Sequence, residues 1–292
     1  MLGTELSRRA VLSALGIFGV GAAVGVAPAT AEAYSFELRS LADTVAKFGG
    51  RQPNYWGVSA PGVHSRFSTT TTPGKNAVCL TFDACGGSVT HYDAALIDTL
   101  RSHQAVATLF VNEHWARNNP SIFQELLADP LFEIQNHGSR HLPLSVNGQQ
   151  TYGITGTASL EEVWNEIAGA NKYFAENGWT QTKFMRPGTC FTDDVSAAVA
   201  EFMGQPIVNF SVNGDAGATF TASQVHAAVS KAQAGDIVLS HMNHPGSGTA
   251  AGYASVIHEL KQRGLQFRKV SEVLVAPQEA PRVYQSKPMY YF

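Results

Sequence analysis

The sequence predicts an α/β protein, a distorted (β/α) barrel of about seven parallel strands. Three observations carry that prediction. From Ala77 onward, short apolar runs alternate with amphipathic helical segments. Glycines follow the helical segments at Gly178, Gly204, Gly235 and Gly264, where a helix ends most easily. Polar residues fall at the carboxyl ends of the predicted strands, where parallel α/β folds build their sites.

The predicted strands are Ala77–Asp83, Val106–Val111, Phe132–Asn136, Lys183–Arg186, Ile207–Val212, Ile237–His241 and Leu265–Val270. Helical patterns are predicted over Tyr92–Ser102, Pro120–Ala128, Leu160–Glu176, Asp194–Met203, Gln224–Ala234 and Gly252–Arg263. Ser159-Leu160-Glu161-Glu162 reads as a capping box at the start of the third of these.

Four regions are expected. Residues 1–33 read as a twin-arginine-type signal peptide. Arg8-Arg9 precedes a Gly/Ala-rich apolar stretch, and Ala29-Thr30-Ala31 and Ala31-Glu32-Ala33 offer cleavage sites. The protein is therefore expected to be exported (secreted, periplasmic or cell-wall associated), with no stable membrane span after cleavage. An uncleaved anchor is the competing reading, because the apolar stretch is nearly long enough to span. Residues 34–75 form an extension and linker with a helical piece over Phe36–Phe48, residues 76–275 the barrel, and residues 276–292 a tail.

The chain has 292 residues, a net charge of −3 and scattered basic residues, which gives no reason to expect nucleic acid or an anionic membrane as partner. Its three cysteines are too few for a disulfide scaffold. Cys79 lies inside an apolar strand and reads as core. Cys85 and Cys190 lie in loops beside the candidate motifs and could pair.

Asp83 ends the first strand, before Ala84-Cys85-Gly86-Gly87. His137-Gly138-Ser139-Arg140-His141 follows the third strand, with two imidazoles four residues apart. On a helical turn that spacing puts both rings on one side, as chelation of one metal ion requires. Arg186 ends the fourth strand before Pro187-Gly188. It reads either as a two-pronged partner that keeps Asp83 ionised or as a structural ion pair. His241 ends the sixth strand and reads as a general acid or a satisfied core residue. The Gly188-Thr189 loop offers a backbone N–H to a developing oxyanion.

Thr81-Phe82-Asp83 with its Gly-rich turn, Asn136-His137 to His141, Arg186-Pro187 and Leu239-Ser240-His241 resemble, in that order, the motifs of the NodB-like polysaccharide deacetylases, carbohydrate esterase family four. The resemblance spans about Ala77 to Leu274. It implies a distorted barrel with a divalent metal that removes N- or O-linked acetyl groups from a polysaccharide or cell-wall glycan. It further implies His137 and His141 as metal ligands, Asp83 as base, Arg186 as the residue that tunes Asp83, and His241 as acid.

In that family a second, metal-binding aspartate follows the first, whereas this chain has Ala84 and then Cys85. Gly138 stands where the family usually has Ser or Thr, and Val212-Asn213-Gly214-Asp215 lacks the usual tryptophan. Three readings of the altered site follow. Asp83 may join His137 and His141 as the third ligand, a set suited to zinc with an open position. Cys85 can instead supply a thiolate, which favours zinc. Alternatively the domain binds glycans without a metal. The first is preferred. A metal-dependent amidohydrolase acting on a small amide is the remaining enzymatic alternative. Tyr55, Trp56, Trp115, Trp164 and Trp179 are the aromatics a glycan-binding groove would use.

Overall fold

The computed structural model describes residues 39–70, 73–88 and 90–274. The expected signal segment 1–33 and tail 276–292 lie outside the described residues, as does the start of the predicted helix Phe36–Phe48.

In chain order the strands are β1 (Trp56–Gly57), β2 (Ala77–Ala84), β3 (Ala107–Val111), β4 (Phe132–Asn136) and β5 (Gln150–Thr151). They continue with β6 (Ile154–Thr155), β7 (Thr192–Asp193), β8 (Val212–Asn213), β9 (Ile237–His241) and β10 (Gln266–Phe267). The helices are α1 (Leu41–Phe48), α2 (Ala94–Ser102), α3 (Glu113–Asn118), α4 (Pro120–Ala128) and α5 (Leu160–Glu176). They continue with α6 (Asp194–Phe202), α7 (Ala222–Val229), α8 (Thr249–Gln262) and α9 (Val270–Val273).

The main sheet is parallel, in the order β4-β3-β2-β9-β8, with β10 pairing the first residues of β2. Every residue of β2 is buried, as expected of a strand covered on both faces. Its alternation sorts two environments. Val78, Leu80, Phe82 and Ala84 face the outer apolar layer, which includes residues of α2, α7 and α8. Cys79, Thr81 and Asp83 have the opposite parity, and Cys79 joins Phe110, Phe184 and Val208 in an inner cluster.

Two predicted strands are reduced to single bridges, Asn136–Met185 and Met185–Ile207, which carry the order of segments round from β4 toward β8. Side chains take the backbone groups that full ladders would use. Gln135 Oε1 accepts the N–H groups of Lys183 and Phe184. The Arg186 guanidinium donates to the carbonyls of Val208 and Asn209. Pro206 has no N–H to donate. The predicted strand Leu265–Val270 likewise shortens to β10, because Val270 already opens α9.

Helices α4 and α5 keep their predicted bounds, and Ser159 caps α5 by accepting the Glu162 N–H at 3.1 Å. Helix α2 starts later than predicted, because Asp93 is its N-cap and accepts the Leu96 N–H at 3.1 Å. Residues 39–70 lie along the barrel. Phe48 of α1 meets Phe202 at 5.6 Å, His64 bridges Val208, and Arg66 pairs with Asp236 at 2.6 Å. Among the described residues no helix is long and apolar enough to cross a membrane.

Candidate active site

The carboxyl ends of β2 and β9 lie side by side, with Asp83 and His241 as register partners. Asp83 is 2% exposed. Its Oδ1 accepts a hydrogen bond from Arg186 Nη1 at 2.8 Å, and the same nitrogen donates to Thr81 Oγ1 at 2.9 Å. Arg186 is fully buried over the Phe110 ring, 4.1 Å from its centroid. Its other donors go to Val208 and Asn209, so the expected two-pronged bond to Asp83 is single-pronged. The guanidinium instead ties two barrel segments to the carboxylate. Burial pushes the Asp83 carboxyl up, but the charges of Arg186, His137 and His241 outweigh it and hold the group below the usual carboxylate range.

His137 and His141 meet with ring centroids 4.8 Å apart at 82°. They are not on a helical turn, as the spacing suggested. The segment is a loop in which Gly138 (φ 78°) and His141 (φ 62°) both adopt left-handed backbone. Helix α5 supplies the clamp. The fully buried Glu166 accepts the N–H groups of Arg140 at 3.0 Å and Leu142 at 3.2 Å. A Cβ at position 138 would lie 2.3 Å from Glu166 Oε1. That contact, together with the positive φ, explains why glycine stands where the family usually carries Ser or Thr. From the other side Asn112, the N-cap of α3, donates to the carbonyls of His137 at 3.1 Å and Gly138 at 2.7 Å.

The three atoms that can serve as ligands are Cys85 Sγ and one ring nitrogen each of His137 and His141, all within 4.8 Å of one another. His137 Nδ1 lies 2.8 Å from the Arg186 carbonyl, which fixes the tautomer and leaves Nε2 facing Cys85 Sγ at 3.6 Å. Burial pushes the Cys85 thiol up, but the charge of His141 and a hydrogen bond from His137 outweigh it and place Cys85 well below the ordinary thiol value. His141 Nε2 is buried without a hydrogen-bond partner. An orphaned imidazole nitrogen beside an acidified thiol and a second imidazole nitrogen is a donor set that fits a divalent metal. Asp83 stands beside this set, its Oδ2 3.6 Å from His137 Nε2. Ala84 faces the outer apolar layer. Cys85 and Cys190 are both free thiols, so the pairing considered from the sequence is not formed. Gly188 N–H donates to the Leu142 carbonyl at 3.2 Å and is not available to an oxyanion.

His241 is oriented by Asp215, which is fully buried. Asp215 Oδ1 pairs with His241 Nδ1 at 2.8 Å. Its Oδ2 accepts the His241 N–H at 2.7 Å and the Thr249 hydroxyl at 3.0 Å. Burial pushes the imidazole down, but its hydrogen bonds to Asp215 and Cys85 outweigh it and raise His241 well above its ordinary value. His241 is thus a half-buried imidazole with a buried carboxylate partner.

The chain reading of the sequence did not assign roles to Glu166, Asn112 or Asp215. Glu166 carried a signal, since it is a charged residue within the buried stripe Val163, Ile167, Ala170 and Phe174 of α5. Asn112-Glu113 also has the form of a helix N-cap.

Comparison with known proteins identifies the family and the fold. The family model described as polysaccharide deacetylase matches residues 70–208. The peptidoglycan-N-acetylglucosamine deacetylase of Bacillus cereus is 30% identical over 205 residues, covering 68% of this chain and 89% of that protein. Two solved structures share the fold. One is a carbohydrate esterase family-four pseudoenzyme from Bacillus anthracis (TM-score 0.60, 20% identity, 74% of this chain and 69% of that one). The other is PdaA of Bacillus subtilis, a family-four carbohydrate esterase (TM-score 0.58, 17% identity, 82% of this chain and 94% of that one). The chain belongs to the NodB-type polysaccharide deacetylases, carbohydrate esterase family four.

Proposed function

We propose that this protein is a metal-dependent deacetylase that removes the acetyl group from N-acetylated sugars of a peptidoglycan-type glycan. One observation carries the reading. A carboxylate held ionised and an imidazole held protonated are register partners on adjacent strands, beside the Cys85, His137 and His141 donor set. That is the opposed pair of protonation states that general base and general acid need at one pH. The activity of the Bacillus cereus relative, a peptidoglycan-N-acetylglucosamine deacetylase, supports the choice of glycan.

A divalent metal held by Cys85, His137 and His141, with zinc favoured by the thiolate, would supply Lewis acidity toward water and the acetyl carbonyl. Asp83, kept ionised by Arg186, takes a proton from the attacking water. His241, kept protonated by Asp215, gives a proton to the leaving nitrogen as the C–N bond breaks. Asn112 and Glu166 hold the loop that presents His141. The twin-arginine-type segment 1–33 supports export of the protein already folded, so that the metal would travel with it.

The test is metal content and acetate release from an N-acetylglucosamine tetramer. About one equivalent of zinc is expected in the wild type, lost in Cys85→Ser and His137→Ala and kept in Asp83→Asn. His241→Ala is expected to keep the metal and to lose about a hundredfold or more in rate. Zinc lost in Asp83→Asn but kept in Cys85→Ser would return Asp83 to the ligand set. Full activity in His241→Ala, or no acetate released by the zinc-loaded wild type, would remove the proposal.

A further inference from the structure

Five residues beyond Arg186, Phe191 stands between two other aromatic rings. Its centroid is 5.6 Å from that of Trp56 at 52° and 5.6 Å from that of Tyr152 at 85°. Phe191 and Trp56 are half-buried, whereas Tyr152 is 80% exposed. Of the other aromatics singled out from the sequence, Tyr55 is exposed and the three tryptophans pack inward. Trp115 is fully buried, and the indole N–H groups of Trp164 and Trp179 donate to the carbonyls of Arg39 and Ile134.

The backbone at Tyr152 is unusual. Tyr152 and Gly153 join β5 to β6 through a two-residue turn with φ of 52° and 74°. Both angles are positive, as in the hairpin turn that strongly prefers Asn-Gly. A tyrosine in left-handed backbone costs about 1–2 kcal/mol, and an exposed ring regains little of that by burial. An aromatic kept at a strained, solvent-facing tip is a mark of binding rather than of stability.

Tyr152 and Phe191 follow His141 and Arg186 in the chain, and Trp56 lies on β1, which pairs with β7. The feet of the hairpin are tied to the chain just after His141: Thr157 N–H donates to the Pro143 carbonyl at 3.0 Å, and Ser145 N–H to Thr157 Oγ1 at 2.7 Å. The Phe191 carbonyl accepts the Leu144 N–H at 3.1 Å. Asn209 Nδ2 bonds the carbonyls of Cys190 and Val58 at 2.7 Å, and the Asn209 carbonyl itself accepts Arg186 Nη2.

We propose that Tyr152, Phe191 and Trp56 form an aromatic platform for a pyranose ring of the glycan, a unit flanking the one that loses its acetyl group. The proposal rests on the glycan reading above and adds where the chain lies. A pyranose offers a face of C–H groups with hydroxyls at its edge, which suits ring faces set in a polar rim. An apolar protein partner or a lipid would call for a continuous aliphatic patch. The exposed large hydrophobics among the described residues are Val45, Tyr55 and Tyr152, and Tyr55 precedes Trp56 in the chain.

The test uses the full zinc-loaded chain, calorimetric binding of an N-acetylglucosamine tetramer, and turnover of both the tetramer and 4-nitrophenyl acetate. Tyr152→Asn removes the ring while suiting the turn, and Phe191→Leu removes the central ring while keeping bulk. Each is expected to weaken tetramer binding and raise its KM by about tenfold, the scale of one aromatic contact. The kcat on tetramer, turnover of the small ester and the melting temperature of Tyr152→Asn should not fall. Tetramer binding unchanged in both variants, no binding by the wild type, or equal losses on the small ester would overturn the platform. So would a wild-type dimer, seen by light scattering, that Tyr152→Asn dissolves. Tetramer binding that depends on Tyr152 without acetate release would sink the deacetylase reading and leave the platform standing. Acetate release indifferent to both substitutions would do the reverse.

Discussion

The two halves of the site are held in place by different means. Asp83 and His241 end strands of the central parallel ladder, and β2 is hydrogen-bonded on one side to β3 and on the other to β9. Backbone pairing sets the separation of their Cα atoms. Cys85, His137 and His141 lie beyond the strand ends, in loops with no ladder. Their frame is made of contacts distant in sequence: the Glu166 side chain from α5, the Asn112 side chain from the start of α3, and the backbone carbonyl of Arg186 on His137. The proposed proton-transfer groups are thus placed by secondary structure, and the proposed metal-binding groups by clamps distant in sequence. A substitution in a clamp can retune the donor set without moving base or acid, which suits a family site whose usual second aspartate is absent here.

The strand-borne half has one weak point, its charge. Asp83 is held by the ladder but depends on Arg186 for neutralisation. Replacing Arg186 with Met should give the largest effect, a loss of about 3–5 kcal/mol of stability, because it leaves a carboxylate buried and unpaired. Urea unfolding measures it, and adding Asp83→Asn in the same chain should recover part of the loss. Asp83's lowered pKa fixes the sign with pH. The pair's contribution is present above the ordinary carboxylate value of about 3.9 and lost as pH falls through the lower folded value. A cost below about 1 kcal/mol would mean that the ladder needs no counter-charge.

Much of the strand-borne half was legible in the sequence. The runs ending in Asp83 and His241 are largely apolar and the run ending in Asn136 alternates apolar with polar, and a polar residue closing such a run reads as a strand end facing the site. The segments around Met185 and Ile207 were over-read as strands. Their apolar character was real, but Gln135 and Arg186 take the backbone groups a ladder would pair, and such long-range competition leaves no local pattern. The loop-borne half was legible by residue type but not by geometry. His137 and His141 have helical spacing, whereas the pair is brought together by left-handed backbone at Gly138 and His141. Asp215 could be placed after the fifth strand, but its partnership with His241 exists only once β8 lies beside β9.

The clamp on the loop-borne half can be broken without touching a ligand. Glu166→Ala frees the N–H groups of Arg140 and Leu142, and should weaken zinc affinity by about 10–100-fold, the scale for residues that orient metal ligands. Competition with a chromogenic chelator reads this directly. Glu166→Gln keeps an acceptor oxygen at the same place and should restore most of the affinity. Equal zinc affinity in wild type and Glu166→Ala would show that the loop holds its shape unaided, and the contrast between the two halves would fail.

The smallest effect is expected at Asp215, where the strand-borne acid has a clamp of its own. Asparagine at 215 keeps an acceptor for the His241 N–H and Thr249 hydroxyl, so the imidazole should stay in place. What is lost is the negative charge against Nδ1. Burial then pushes the His241 pKa down with less to oppose it. The alkaline limb of kcat/KM should therefore move to lower pH in Asp215→Asn, since the proton donor is lost earlier as pH rises. The stability sign is opposite to that of Asp83. A raised histidine pKa contributes stability fully below the ordinary value of about 6.5 and loses it as pH rises through the folded value, so Asp215→Asn should be more destabilised in acid than in alkali. An alkaline limb that stays in place would assign it to a group other than His241 and leave the leaving nitrogen without its donor.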